Sequence, residues 1–304
     1  MSSTATSAGL AGRAASPADY IRLLRPRQWI KNGFVLAPLL FSGLGVSTAA
    51  FVNAAVAFIM FCMVASSVYA WNDVYDRVSD QAHPIKRNRP VASGRISVRA
   101  AIGLGAALCL AAVALGLALH PPLLAVVLTY LGLNMLYTFR LKHMVILDVF
   151  SIAAFFILRL LAGTVAIEVE ASIWLLTCGG LLALYLGFAK RRHELLLLGD
   201  DSAAHRTVLA EYSPHFLDQM SSVLLSVTVV SYILYTVSEE KVAELGYLLS
   251  YSTIFVLYGV FRYLYLVHQR AQGSPTETLL TDRSLIVAVG LWILYCFWVV
   301  YRPF

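Results

Sequence analysis

Long apolar segments alternate with short polar ones along almost the whole chain. Nine of them are predominantly apolar and, at roughly 16 to 25 residues, long enough to cross a bilayer as helices, for which about 20 residues are needed. They lie at positions 28–45, 49–71, 100–119, 122–139, 145–166, 172–189, 214–237, 244–267 and 284–301. The pattern predicts an all-α, polytopic membrane protein with nine transmembrane helices.

The composition agrees with this architecture. Hydrophobic residues make up 59% of the 304 residues and charged residues 13%, about half the charged fraction of soluble domains. The first stretch, 1–16, is small and polar without an apolar core, which predicts a disordered tail rather than a signal peptide. The remainder, 17–304, is expected to form a single nine-helix membrane domain.

Basic residues separate between the two sets of connections. Most of the 23 lysines and arginines precede the first span or lie in every second loop, whereas the opposite loops contain only Lys241. Because basic residues accumulate in cytoplasmic loops, we predict an inner (plasma) membrane protein with a cytoplasmic N-terminus and an extracytoplasmic C-terminus. The net charge of +6 then reflects topology, the lipid bilayer and anionic ligands, not nucleic-acid binding.

The polar stretch after the second span carries candidate chemistry. Three carboxylates, preceded by an asparagine, follow at spacings that place them on roughly one face of a helix. These residues are Asn72, Asp73, Asp76 and Asp80. Such oxygen ligands suit Mg²⁺, and the cations that follow suit phosphate oxygens. Those cations are Lys86, Arg87 and Arg89. The stretch therefore predicts a site for a metal-bound pyrophosphate.

Later loops and spans carry a second group of polar residues. The sixth-to-seventh loop is mostly cationic near the membrane, which favours binding a phosphorylated substrate over holding a second metal. Its candidates are Lys190, Arg191, Arg192, Glu194 and Arg206. Arg159 lies inside the fifth span, where a charge is costly and usually faces an interior polar site. For both loops the alternative is that the cations only set the topology.

Three segments of the chain resemble motifs of a known family. Positions 72–80 (NDVYDRVSD) resemble the first acidic motif, NDxxDxxxD, of the UbiA-type intramembrane prenyltransferases. The KRNRPVASG stretch at 86–94 and the segment 137–142, with Asp148, are similar to segments of the same family. In place of the usual second Asp-rich motif, 187–194 (GFAKRRHE) resembles the decaprenyl-phosphate phosphoribosyltransferase branch.

The resemblance implies a UbiA-like bundle with a cytoplasmic-side active site and a Mg²⁺-dependent pentosyltransferase. 5-Phosphoribose would pass from phosphoribosyl pyrophosphate (PRPP) to a polyprenyl (decaprenyl) phosphate with release of pyrophosphate, feeding arabinose-donor synthesis for cell-wall arabinan. The implied catalytic residues are Asp73, Asp76 and Lys190, and the implied metal ligands are Asp73, Asp76 and Asp80. The implied substrate-binding residues are Lys31, Asn72, Lys86, Arg87, Arg89, Asn134, Tyr137, Lys142, Arg159, Arg191, Arg192, Glu194 and Arg206.

Two other functions stay open. A prenyltransferase that moves a polyprenyl chain from its diphosphate to an aromatic acceptor predicts a second acid cluster, for which Asp200 and Asp201 are available among many cations. A non-catalytic lipid carrier predicts inverted-repeat halves with broken helices near the membrane midplane, and the sequence offers no convincing repeat. The oligomeric state is also open, with a homo-oligomer among the alternatives.

Overall fold

Helices form every regular element of the described chain. A computed structural model describes residues 15–44, 47–198, 207–269 and 281–301. The α helices are α1 (Pro17–Leu24), α2 (Ala37–Phe41), α3 (Thr48–Tyr75), α4 (Arg77–Ala82), α5 (Val98–Leu119), α6 (Pro121–Phe139), α7 (Leu147–Ala166), α8 (Ile173–Leu198), α9 (Pro214–Thr236), α10 (Glu239–Leu245), α11 (Thr253–Gln269) and α12 (Arg283–Tyr301). Shorter 3₁₀ helices lie at Pro26–Leu36, Lys86–Asn88, Leu141–His143, Thr207–Glu211 and Gly246–Ser252. The predicted all-α class is confirmed.

The membrane spans agree with the predicted segments from the second onwards. Within the described ranges, eight helical stretches are long and apolar enough to cross a membrane. They are Thr48–Tyr75, Val98–Ala118, Pro121–Phe139, Leu147–Ala166, Ile173–Leu197, Pro214–Thr236, Glu239–Val267 and Arg283–Tyr301. The protein is therefore a multi-pass membrane protein. Most of the predicted tail, 1–14, lies outside the described residues, as do Asp200, Asp201 and Arg206.

The first predicted span, 28–45, does not form one long α helix. The chain instead runs through the 3₁₀ helix Pro26–Leu36, of 11 residues, and the five-residue helix α2. This is unusual, because 3₁₀ runs seldom exceed about four residues. At about 2.0 Å per 3₁₀ residue and 1.5 Å per α residue, the two helices together extend about 30 Å, the thickness of the hydrocarbon core. The ninth span stays a prediction.

Contacts with α7 explain why this segment holds its shape. A Cβ on Gly163 would lie 2.1 Å from the carbonyl oxygen of Val35, so only glycine lets the two backbones come this close. Four residues earlier on α7, Arg159 donates from Nε to Asn32 Oδ1 at 2.8 Å. A backbone contact and a side-chain hydrogen bond thus hold the 3₁₀ helix against α7.

The helices divide into two compact units, which are described separately. Unit 1 comprises Met1–Ile30 and Ile59–Pro121, and unit 2 comprises Lys31–Phe58 and Pro122–Phe304. The single membrane domain expected for 17–304 stays a prediction.

In unit 1, α1 is fixed at both ends. Ser16 and Asp19 form a reciprocal capping box at its start, and Asp19 also pairs with Arg95 at 3.1 Å. Leu23 is fully buried among the apolar residues of this unit. The helix ends at Arg25, which adopts a left-handed conformation with φ of 54°. The fixed helix determines where the Arg25 guanidinium lies.

In unit 2, α8 packs against both α7 and α9. The contact with α7 depends on small residues. A Cβ on Gly187 would lie 2.7 Å from Val149 Cγ1, and one on Gly179 would lie 2.5 Å from Leu160 Cδ1. These close approaches fix the position of α8 against α7. The C-terminal half of α8 carries the second group of candidate residues.

Candidate active site

The acidic motif begins on the last turn of α3 and continues into α4. Asn72 and Asp73 lie within α3, and Asp76 is the residue before α4. The backbone keeps its helical path, since the Asp76 amide donates to the Asn72 carbonyl and the Asp80 amide to the Asp76 carbonyl, both at 2.8 Å. The predicted helical spacing of these acids is therefore retained across the junction.

Two arginines meet the buried carboxylates of this motif. Asp73 is 1% exposed and pairs through Oδ1 with Arg25 and, at 3.2 Å, with Arg89 Nη1. The same Arg89 nitrogen donates to Asp80 Oδ2 at 2.7 Å. One guanidinium nitrogen therefore bridges two carboxylates. We call Arg25, Asp73, Asp80 and Arg89 the acid–arginine cluster.

The cluster leaves one carboxylate oxygen open to a divalent cation. Asp73 Oδ2 is buried and has no hydrogen-bond partner, which is costly for a carboxylate oxygen unless a ligand completes it. Across the described ranges, no group of three or more His, Cys, Asp or Glu side chains is gathered for a metal. Mg²⁺ does not require one, because it typically uses one or two carboxylates and completes its shell with water and substrate phosphate. Asp73 fits that role.

The charge of Arg25 is balanced within the cluster. Burial and repulsion from Arg89 lower the pKa of the Arg25 guanidinium, while attraction to Asp73 acts in the opposite direction. The guanidinium also lies over the ring of Tyr69, 5.0 Å from its centroid. Arginine remains protonated despite this shift, because its ordinary pKa lies above about 12. Removing Asp73 would leave two arginines facing each other.

The basic residues after α4 differ in exposure and in their contacts. Arg95 bonds the Asn88 carbonyl and Ser93 Oγ as well as Asp19, and these contacts tie the loop to α1. Arg87 is exposed and Lys86 half-buried. The structure therefore brings only Arg89 of the predicted cations onto the predicted acids, among the contacts it records.

In unit 2, Arg159 forms a buried polar centre inside α7. Its Nη1 donates to the Phe155 carbonyl at 2.7 Å and its Nη2 to the Tyr130 hydroxyl at 2.9 Å, in addition to the bond to Asn32. Asn134, also buried, donates from Nδ2 to the Tyr130 carbonyl at 2.8 Å. The predicted polar environment of Arg159 is thus built by α6, α7 and the 3₁₀ segment.

A second centre surrounds Arg191 on α8. Arg191 and Asp148 are both 0% exposed, and Arg191 Nε donates to Asp148 Oδ2 at 2.5 Å. Arg191 also reaches Glu194 Oε2 at 2.5 Å and the Tyr137 hydroxyl at 3.2 Å. The second Asp148 oxygen accepts from the Tyr212 hydroxyl at 2.8 Å. We call these five residues the Arg191 network.

The neighbouring cations of α8 differ in exposure. Lys190 lies 3.9 Å from Glu194 Oε1, as the spacing predicts, and its side chain is 42% exposed. Arg192 is paired with both oxygens of Asp218 on α9. Arg206 lies outside the described residues. Lys190 is accordingly the most accessible of the three described cations in this run.

Several contributors were not apparent as a site from the sequence. Arg25 lies in a basic flank, where topology explains it equally well, and Asp148 reads as an ordinary acid at a helix start. Tyr212 and Asp218 carry no local signal, because their partners are distant in sequence. Lys31 and Lys142 are half-buried.

These features define a multi-pass helical membrane protein with a buried acidic centre lined by arginines. Residues 34–286 match the model of the UbiA prenyltransferase family. The chain belongs to this family, as its motifs predict.

Curated relatives and solved structures agree with this assignment. The chain is 33% identical to a decaprenyl-phosphate phosphoribosyltransferase of Corynebacterium glutamicum, over 90% of this chain and 84% of the relative. It is also 33% identical to the protein of that name from Mycolicibacterium smegmatis, over 90% of this chain and 89% of the relative. A UbiA homolog from Archaeoglobus fulgidus, solved with GPP and Mg²⁺, aligns with a TM-score of 0.71 at 21% identity, covering 93% of this chain and 99% of that one. The predicted UbiA-like fold is confirmed.

Proposed function

We propose that the protein is a pentosyltransferase that moves 5-phosphoribose from PRPP to a polyprenyl, or decaprenyl, phosphate and releases pyrophosphate. The relatives that carry this name cover most of the chain. The observation that carries the proposal is the unsatisfied Asp73 oxygen in a cluster that also supplies two arginines. A metal-bound pyrophosphate needs both kinds of group. The product would then feed synthesis of an arabinose donor for the cell wall.

The acid–arginine cluster is the proposed pyrophosphate site. Asp73 and Asp76 would hold Mg²⁺ as catalytic residues, with Asp80 as a further ligand. When bound, Mg²⁺ supplies charge that stabilises the leaving pyrophosphate. Arg25 and Arg89 keep the Asp73 carboxylate in place and provide donors for phosphate oxygens.

The reaction replaces one carbon–oxygen bond by another. The bond from C1 of the ribose to pyrophosphate breaks, and a phosphate oxygen of the lipid forms the new bond to C1. The leaving group keeps the bonding electron pair, and the acceptor is already an anion, so no strong general base is required. Because pyrophosphate, the 5-phosphate and the lipid phosphate are all anionic, the protein must supply many cations.

The remaining candidates would bind these anionic groups or orient the residues that do. Lys190 is the proposed catalytic cation because its ammonium group is accessible and carries a mobile positive charge. The proposed substrate-binding residues are Lys31, Asn72, Lys86, Arg87, Arg89, Asn134, Tyr137, Lys142, Arg159, Arg191, Arg192, Glu194 and Arg206. Within this set, Arg191 is enclosed with Asp148 and Arg192 is paired with Asp218. Each would orient its partner instead of contacting a substrate phosphate directly.

A transfer assay tests the proposed function. Purified protein in detergent is given PRPP labelled in the ribose, together with a polyprenyl phosphate, with and without Mg²⁺. We expect lipid-extractable label only when both lipid and Mg²⁺ are present. Transfer of a prenyl chain from its diphosphate to an aromatic acceptor, with no ribose transfer, would instead assign the prenyltransferase reaction. Inactivity in both assays would favour the lipid-carrier alternative.

We further propose that residues 17–304 form one domain in the plasma membrane, with the N-terminus in the cytoplasm and the C-terminus outside. The charge asymmetry of the loops supports this orientation. Cysteines introduced as Arg87→Cys and Glu240→Cys, both at exposed positions, test it. An impermeant maleimide should label only the second in intact cells, and the reverse pattern would contradict the orientation. Light scattering on the purified sample determines whether copies associate.

A further inference from the structure

The connection before α7 contains a strained backbone conformation. Ile146 has φ of 68° and ψ of −47°, and the Leu147 amide donates to the Val145 carbonyl at 2.8 Å. These values close a γ-turn of the rare, positive-φ kind, centred on a β-branched residue. Side chains branched at Cβ are outliers at positive φ, so this turn persists only because its surroundings hold it.

The hydroxyl of Tyr212 supplies that support. It accepts from the Ile146 amide at 2.7 Å and donates to Asp148 Oδ1 at 2.8 Å. Asp148 is held on its other side by Arg191 of α8. One hydroxyl therefore connects the strained turn to the Arg191 network.

The turn lies between two proposed phosphate-binding groups along this chain of contacts. Lys142 is in the 3₁₀ helix that precedes the turn, and this helix packs against the 3₁₀ helix that leads to Tyr212. Lys190 lies next to Arg191, at the other end of the network. All these residues belong to unit 2. The turn therefore lies on a path of contacts that joins the Lys142 segment to the end of α8.

We infer that Tyr212 is a positioning residue that stabilises the Ile146 turn and thereby sets the geometry of the Lys142 segment relative to the end of α8. The inference rests on the proposed function, because it concerns PRPP binding by the same cations. Because Ile146 is strained at positive φ, the turn keeps its conformation only while the Arg191 network supports it. The connection adopts this form only when Tyr212, Asp148 and Arg191 are assembled.

The first test compares two substitutions that each remove a tyrosine hydroxyl with more than one hydrogen bond. Tyr212→Phe disconnects the turn, whereas Tyr232→Phe removes contacts of 2.6 Å to Ser252 and 2.9 Å to Trp292 among the C-terminal helices. Both should lower Tm by similar amounts. Only Tyr212→Phe should raise the KM for PRPP, by about tenfold with kcat changed by less than about twofold. An unchanged KM would overturn the inference.

A glycine at the turn provides the rescue. Glycine accepts positive φ without strain. Combining Tyr212→Phe with Ile146→Gly should therefore return the KM for PRPP most of the way to the wild-type value. Failure of the double variant to recover would show that the hydroxyl does not act through the turn.

Amide hydrogen exchange provides a readout that does not depend on catalysis. The Ile146 amide should exchange about tenfold faster in Tyr212→Phe than in wild type, and at the wild-type rate in Tyr232→Phe. Equal exchange in all three proteins would overturn the positioning role. If the wild-type protein failed to transfer phosphoribose, the proposed function would fail, while the exchange measurement would still decide this inference.

Discussion

Two regions of the molecule bury an aspartate against arginine, and they differ in how completely it is satisfied. Asp148 has both oxygens bonded, one to Arg191 and one to Tyr212, and Arg191 is fully enclosed. Asp73 uses only Oδ1, shared by Arg25 and Arg89, and its Oδ2 has no partner. Both carboxylate oxygens therefore have partners in the Arg191 network, whereas one carboxylate oxygen of Asp73 in the acid–arginine cluster has none.

The difference separates a structural ion pair from a ligand site. Taking two charges out of water costs several kcal/mol, and a buried pair recovers this cost only when its remaining donors and acceptors are satisfied. The Arg191 network meets that condition within the protein. The acid–arginine cluster does not, because Asp73 Oδ2 is left open to a ligand. We therefore expect substitutions in the cluster to impair catalysis, and substitutions in the network to lower stability and, where they release the Ile146 turn, to raise the KM for PRPP.

The largest effect is expected at Asp73. Asp73→Asn keeps the shape of the side chain but removes the charge that would hold a metal, so kcat/KM should fall by about a thousandfold or more. Membrane expression should change little, whereas Tm should fall, because Arg25 and Arg89 lose the carboxylate that lies between them. The assay is phosphoribosyl transfer to lipid at saturating Mg²⁺. Asp282→Asn is the matched control. It disturbs the pair of Asp282 with Arg262, which belongs to neither region, and it should retain activity. A near-normal rate in Asp73→Asn would remove the distinction between the regions.

Asp148 should respond in the opposite way. Asp148→Asn removes the fully buried carboxylate that accepts from Arg191 and Tyr212 and leaves Arg191 paired with Glu194, which should lower the free energy of unfolding by about 3–5 kcal/mol. Thermal unfolding in detergent measures this loss. If Asp148→Asn were as stable as wild type, the network could not be the structural member of the comparison.

A substitution at Lys190 tests whether side-chain exposure identifies the residue of α8 that binds a substrate phosphate. Lys190→Gln removes an accessible charge whose recorded ion pair, with Glu194, is long at 3.9 Å. The KM for PRPP should rise by about tenfold, with Tm nearly unchanged. Steady-state kinetics over a range of PRPP concentrations provide the measurement. A loss of stability without a change in KM would place Lys190 with the structural residues instead.

The smallest expected effect concerns competition at the open cluster. Arg89 occupies the space between Asp73 and Asp80, where it opposes an incoming cation by charge repulsion. Arg89→Gln should tighten Mn²⁺ binding by about threefold, as measured by the electron paramagnetic resonance signal of free Mn²⁺ in the absence of PRPP. Weaker Mn²⁺ binding would contradict this prediction, because it would mean that the positioning of the acids by Arg89 outweighs its repulsion of the metal.

Much of the fold was predictable because the membrane imposes long apolar segments and sorts charges between its two sides. Eight of the predicted segments coincide with apolar helices in the described residues. The first did not follow this rule. Its 3₁₀ conformation depends on Gly163 and Arg159, more than a hundred residues away in sequence.

The site was predictable in part, for a related reason. Local spacing identified the acids from Asp73 to Asp80 and the pairing of Lys190 with Glu194. It gave no indication that Arg191 is enclosed or that Arg25 contacts Asp73, because these contacts join residues 43 and 48 positions apart. Sequence patterns locate charges, whereas only the packing decides which of them are already paired.

The most direct test of the account is a metal measurement at the acid–arginine cluster. Pulsed electron paramagnetic resonance of Mn²⁺ with PRPP would detect coupling between the metal and phosphorus in the wild-type protein. We predict that Asp73→Asn abolishes this coupling and that Asp282→Asn preserves it. The same coupling in wild type and Asp73→Asn would contradict the claim that this carboxylate holds the metal-bound pyrophosphate.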